Sequence, residues 1–156
     1  MLETLLTTGA GALSATAGVV VGGIVTRRAQ DRQWLRDKQL DAYKELFTHY
    51  ARFTMILRRA HADRSGWDYD WGEWSASLMR ASLVAPAGIA HEIQAFGLAI
   101  NSFLDVVGRD ARTDPLTSEE FEAAREAPAA AQVRLVNAIR RSLNGAEKEL
   151  PFGIGG

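Results

Sequence analysis

The chain has 156 residues, 47% of them hydrophobic and 24% charged, with a formal net charge of −1 and no cysteine. That length suits one modest domain plus an anchor, the apolar content excludes a disordered chain, and the missing thiols exclude disulfides, zinc-thiolate sites and thiol nucleophiles. The charge is uneven, with 10 Lys/Arg against 5 Asp/Glu in residues 27–64 and 8 against 13 in residues 65–156; a basic half suits an anionic leaflet, and near-neutrality gives no footing for broad nucleic-acid binding.

Residues 4–26 run for 23 positions without a charge. As a helix rising about 1.5 Å per residue, such a run spans ~34 Å, enough for a hydrocarbon core of ~30 Å. Three readings compete. A transmembrane helix is the first. A cleaved signal peptide has a small-x-small match at Ala15-Thr16-Ala17, but the start Met1-Leu2-Glu3-Thr4 lacks a basic n-region. A buried soluble helix needs partners on every face, because the run has no polar stripe. The abrupt Arg27-Arg28 flank favours the first, with 1–26 as anchor and lipid headgroups meeting Arg27, Arg28, Arg32 and Arg36. No Lys or Arg precedes the run, so the positive-inside rule predicts a single-pass inner (plasma) membrane protein, N-terminus outside and domain in the cytoplasm.

Gly11, Ser14, Gly18 and Gly22 share one face of this helix, and Gly18-Val19-Val20-Val21-Gly22 is a GxxxG match. Small residues let two backbones approach closely in lipid, so this face predicts self-association as a homodimer. The bland alternative is the abundance of Gly and Ala, which makes GxxxG common by chance.

From Arg27 the pattern predicts an unbroken helix to 63. Leu35, Ala42, Tyr43, Leu46, Phe47, Tyr50, Phe53, Leu57 and Ala60 recur at spacings of three and four, a wide face that suits a bundle better than a coiled-coil seam. Asp37, Asp41, Glu45 and His49 follow at intervals of four on a face expected to be solvated. Residues 64–66 read as a break. A second helix is predicted over 68–85 and a third over 87–108, striped by Ile89, Ile93, Phe96, Ile100, Phe103, Leu104 and Val107. After a polar loop, Thr117-Ser118-Glu119-Glu120 reads as a capped start for a fourth helix over 118–144, with Pro128 expected to kink or split it. Residues 145–156 are Gly-rich and read as a flexible tail. No segment alternates like a strand. The expectation is an all-α chain: the membrane helix continues into a long helix, which packs with the others, 27–144, as a small antiparallel bundle.

Chemistry-bearing motifs are sparse. The histidines are His49, His61 and His91. Glu45 and His49 at i, i+4 could grip a metal only weakly, and the Glu-x-x-His pairs of di-metal bundles are absent. There is no Gly-x-Ser-x-Gly elbow and no Gly-Lys-Ser/Thr phosphate loop. The expectation is therefore no catalytic residue, no metal and no cofactor: a non-enzyme.

The most distinctive local feature is aromatic. Trp67, Trp71 and Trp74 fall at i, i+4 and i+7, with Tyr69 and the acids Asp68, Asp70 and Glu73 around them. On a helix they share a face, which either caps the core over Tyr43, Phe47 and Tyr50 or meets a protein partner, as Trp and Tyr dominate binding hot spots. Acids beside the rings argue against insertion into an anionic leaflet.

The stretch from Arg32 through Trp34, Arg36 and Lys38 to Ala42, Tyr43 and Leu46 resembles a class of small single-pass membrane proteins of high-GC actinobacteria. The likeness covers the first third of the chain and implies an anchor with a charged juxtamembrane helix, and no activity. Taken together, the sequence reads as a membrane-anchored helical interaction or scaffold module. The alternative is a membrane-active toxin or permeability factor, motivated by the small-residue, Thr-containing helix.

Overall fold

The computed structural model of the chain describes the backbone of residues 2–108, 116–144 and 148–151, and the side chains among them at 27, 30–108, 116–143 and 148–151. The described residues form four helices and no strand: α1 Leu2–Asp63, α2 Trp71–Val84, α3 Ala87–Val107 and α4 Ser118–Asn144. The all-α expectation is met. Among the described residues no helix is long and apolar enough to cross a membrane. The side chains of 4–26, including Gly11, Ser14, Gly18 and Gly22, lie outside them, as do the loop at 109–115 and residues 152–156.

The chain divides into two compact units, Met1–Lys38 and Gln39–Gly156. In the first, every described side chain is exposed, Arg27, Arg32, Arg36, Trp34 and Leu35 included. Among the described residues burial begins in the second unit, with Gln39, Ala42 and Tyr43.

The second unit is an antiparallel bundle. Gln39 Nε2 donates to the Val84 carbonyl at 2.7 Å, while Phe53 meets Trp71 and Trp74, so α2 runs back along α1. Glu92, early in α3, meets Arg134, late in α4, at 3.7 Å; Phe103 and Phe121 meet at the opposite ends, so these two are antiparallel as well. The α3 stripe Ile89, Ile93, Phe96, Ile100, Phe103 and Val107 is buried throughout, as its spacing predicts, with Leu104 only partly covered.

Local chemistry sets the ends. The break after α1 does not use Gly66. Arg64 takes the left-handed conformation, φ 49°, its N–H donates to His61 at 3.3 Å, and Ser65 N–H donates to Ala60 at 3.0 Å. This is a Schellman stop with arginine where glycine is favoured. A left-handed non-glycine costs about 1 kcal/mol. Arg64→Gly is expected to raise the thermal midpoint by a few degrees, read by circular dichroism; a lower midpoint would contradict the strain.

The second helix starts at Trp71, not near 68, because Asp70 rather than Asp68 supplies the cap: Glu73 N–H donates to Asp70 Oδ1 at 3.0 Å. At α4, Thr117 Oγ1 accepts from Glu120 N–H at 3.2 Å and Glu120 Oε2 accepts from Thr117 N–H at 2.9 Å, the reciprocal box the sequence spells. Pro128 is buried inside α4 without splitting it. The missing N–H costs one helix bond, while Phe121, Ala131, Leu135 and Ile139 are buried on both sides of it. The described end of the chain is not loose. Leu150 gives its N–H to Asn137 Oδ1 at 2.9 Å and takes Asn137 Nδ2–H at 3.1 Å, and Arg140 donates to the Lys148 carbonyl at 3.1 Å. A buried asparagine thus folds 148–151 back along α4.

Among the described residues one buried side-chain polar atom is unsatisfied. Tyr43 is 3% exposed and its hydroxyl has no hydrogen-bond partner. Burial pushes its pKa above the usual 10.0, and burial does the same at Tyr50 and Tyr69. A stranded hydroxyl costs about 1–3 kcal/mol, so Tyr43→Phe is expected to stabilise the bundle by about 1 kcal/mol in a urea melt. The sign of the pH dependence follows. The folded state holds these protons more tightly than the unfolded chain does. Stability is complete below pH 10 and falls as pH rises from there through the raised folded values. Alkaline unfolding that starts above pH 10 and moves upward in Tyr43→Phe is the expected outcome. A variant that unfolds at the same pH as the parent would show that Tyr43 does not contribute.

Candidate functional site

The aromatic cluster gathers around one ring. Phe53, 1% exposed on α1, has ring centroids of Trp67, Tyr69, Trp71, Trp74 and Phe103 within 6.4 Å, the nearest being Tyr69 at 5.3 Å. The Schellman stop turns the chain so that Trp67 and Tyr69 come back to Phe53 and His49 on α1. Tyr69 fixes that passage, because its hydroxyl donates to the His49 carbonyl at 2.9 Å. Asp70 then caps α2 and launches Trp71 and Trp74 along Phe53.

This corrects the expected face. Trp67 precedes α2, so Trp67, Trp71 and Trp74 are not one helical stripe. The i, i+4 spacing of Trp67 and Trp71 coincides with helical spacing, but Asp70 starts the helix between them. Their rings still meet edge to face at 5.8 Å. Exposure is graded across the three: Trp74 is 4% exposed, Trp67 is half-buried and Trp71 is 38% exposed. The cluster is core at Trp74 and opens to solvent at Trp71. Asp68, Asp70 and Glu73 are exposed around that opening.

Beside it lies a polar cluster that periodicity alone did not disclose. Glu45 and His49 are half-buried against α2 rather than solvated, and the ligand atoms of Glu45, His49 and Glu73 lie within 4.8 Å of one another. Such a trio could hold a divalent cation. The positive charge already there is Arg80, whose Nη2 is 2.8 Å from Glu45 and 3.4 Å from Glu73. One guanidinium bridges both carboxylates and offsets one of their two negative charges. Half-exposed pairs of this kind contribute at most about 1 kcal/mol each.

The other histidines serve elsewhere. His61 stacks flat on Phe121 at 4.4 Å and His91 is exposed. Two helix hydroxyls are engaged locally: Ser77 donates to the Trp74 carbonyl at 2.7 Å and Ser82 to Leu78 at 2.8 Å. Comparison with protein families, curated proteins and solved structures finds no match. Function is therefore read from these residues alone. The sequence placed Tyr69 among the tryptophans but did not disclose its bond to His49, and it did not single out Arg80. Arg80 stands seven residues after Glu73, two helical turns on, and that spacing was the available signal.

Proposed function

We propose that this chain is a membrane-tethered helical interaction module. Residues 4–26 cross the bilayer with the N-terminus outside, and the bundle works on the cytoplasmic side. The observation that carries this reading is the 23-residue uncharged run ending at Arg27-Arg28, with no cation before it. Arg27, Arg28, Arg32 and Arg36 lie against lipid headgroups, and the Gly11, Ser14, Gly18 and Gly22 face pairs two anchors into a homodimer. The working surface is the opening at Trp71. Its half-covered rings amid Asp68, Asp70 and Glu73 fit a protein partner that offers Arg or Lys on an apolar patch, where the cation meets both the acids and the ring faces.

Washing membrane vesicles with alkaline carbonate tests the tether: the full-length chain is expected to stay in the pellet. Release into the supernatant removes the anchor and the topology together. With no native cysteine, single cysteines report sidedness cleanly. One at Leu2 is expected to react with an impermeant maleimide added to intact cells, and one at Lys148 only after lysis. The reverse labelling would invert the orientation.

A further inference from the structure

We propose that a notch between α1, α3 and α4 binds a small oxyanion, a carboxylate or phosphate group, clamped by Arg58 and Arg125. Tyr50, Thr54 and Arg58 line its α1 side and Arg125 its α4 side, over an apolar floor that includes Phe103 and Pro128. This place is separate from the Trp71 opening and does not depend on it.

Three observations support the clamp. The first is an excess of positive charge. Arg58 has Thr54, Met55, His61 and Ala62 at three and four residues' distance, none of them an acid, and the nearby Asp63 pairs with Arg59 at 3.6 Å. Among the described residues Arg58 forms no ion pair. Both guanidinia also act on the Tyr50 phenol, pulling down a pKa that burial raises, so the three groups converge on one place.

The second is the state of Arg125. Its side chain is only 20% exposed, so its charge is poorly hydrated, and it is held by Glu122, whose oxygens lie 2.8 and 2.9 Å from Nη1. Glu122 is 65% exposed and can swing into water. It engages the guanidinium as an incoming carboxylate would. An oxyanion arriving between two arginines gains charge-assisted bonds from both, and the planar fork of arginine matches carboxylate and phosphate oxygens.

The third is size. The room in the notch is about 10 Å³, space for one water-sized group. One oxygen enters the notch and the rest of the ligand stays at the mouth. That geometry excludes a buried ring or acyl chain and selects a headgroup.

The test uses the full chain in micelles of uncharged detergent, titrated with acetate and with inorganic phosphate against chloride at equal ionic strength. Arginine side-chain N–H resonances and heat are the readouts. Saturable binding by either anion is expected, and the tighter of the two identifies the headgroup. Arg58→Gln is expected to weaken it about tenfold, roughly the share of one charge-assisted contact, with an unchanged melting midpoint because Arg58 is exposed. Glu122→Gln is expected to tighten it, since the internal competitor loses its charge. A response no larger than that to chloride, or parental affinity in Arg58→Gln, overturns the clamp.

Discussion

Phe53→Ala is expected to cost the domain about 3–5 kcal/mol of stability. A domain of this size holds on the order of 5–15 kcal/mol in all. The cost has two sources. The ring is 1% exposed, and truncating it leaves a cavity in the core between α1, α2 and α3. It is also the common neighbour of Trp67, Tyr69, Trp71, Trp74 and Phe103. Edge-to-face pairs contribute about 0.5–1.5 kcal/mol each beyond area burial, and several are lost at once. The segment 65–70 should loosen first, since it loses its ring contacts with Phe53 and keeps the Tyr69 hydroxyl on the His49 carbonyl as its side-chain hold on α1. Urea melts followed by far-ultraviolet circular dichroism and by tryptophan fluorescence would show it: fluorescence is expected to change at lower urea than helicity. Phe53→Leu, which keeps much of the volume, is expected to cost well under half as much. A melting curve for Phe53→Ala close to the parent's would mean that the hub is not a stability centre.

The sequence disclosed those parts of the fold that depend on one helix at a time. The α3 stripe could be read because a residue pointing to the core recurs every 3.6 positions. The α4 start could be read because Thr117 and Glu120 satisfy each other's backbone donors across one turn. What escaped depends on contacts between elements or on competing signals. Asp68 and Asp70 are equally good caps by residue type, and only the position of Tyr69 on His49 decides between them. The break at 64–66 was legible, but not that Arg64, rather than Gly66, takes the left-handed conformation usually left to glycine. Glu45 and His49 were assigned to solvent because they continue the four-residue series of Asp37 and Asp41. Four residues advance a helix face by about 40° beyond a full turn. Three such steps rotate it by about 120°, which takes the series from water to the flank of α2. The bridge of Arg80 across Glu45 and Glu73 joins residues on two helices, and no periodicity within one helix encodes it. The same holds for Asn137 and Leu150, where a buried amide pairs with a segment whose composition suggests a tail.

The graded burial of the tryptophans separates packing from recognition, and the second large effect follows from it. Trp74→Ala is expected to cost about 3–5 kcal/mol, as a buried aromatic truncation does. The ring is 4% exposed and touches both Phe53 and Phe96. Trp71→Ala should cost about 1 kcal/mol in the same melt, because its ring is already 38% in water and the Asp70 cap that starts the helix is untouched. If the opening is the working surface, the order reverses for binding. An exposed Trp at the centre of an interface contributes about 2 kcal/mol or more, roughly thirtyfold in affinity. Asp68→Lys gives an independent arm: the residue is exposed, caps nothing, and its reversal repels a basic partner without touching the packing. Crosslinked pull-down from native membranes, quantified by mass spectrometry, should recover a partner with the parent chain and lose it with both Trp71→Ala and Asp68→Lys, while both variants melt near the parent. Loss with Trp71→Ala but full recovery with Asp68→Lys would keep the aromatic contact and remove the basic character assigned to the partner. Full recovery with both would leave Trp71 as the outer edge of the core, with no part in recognition.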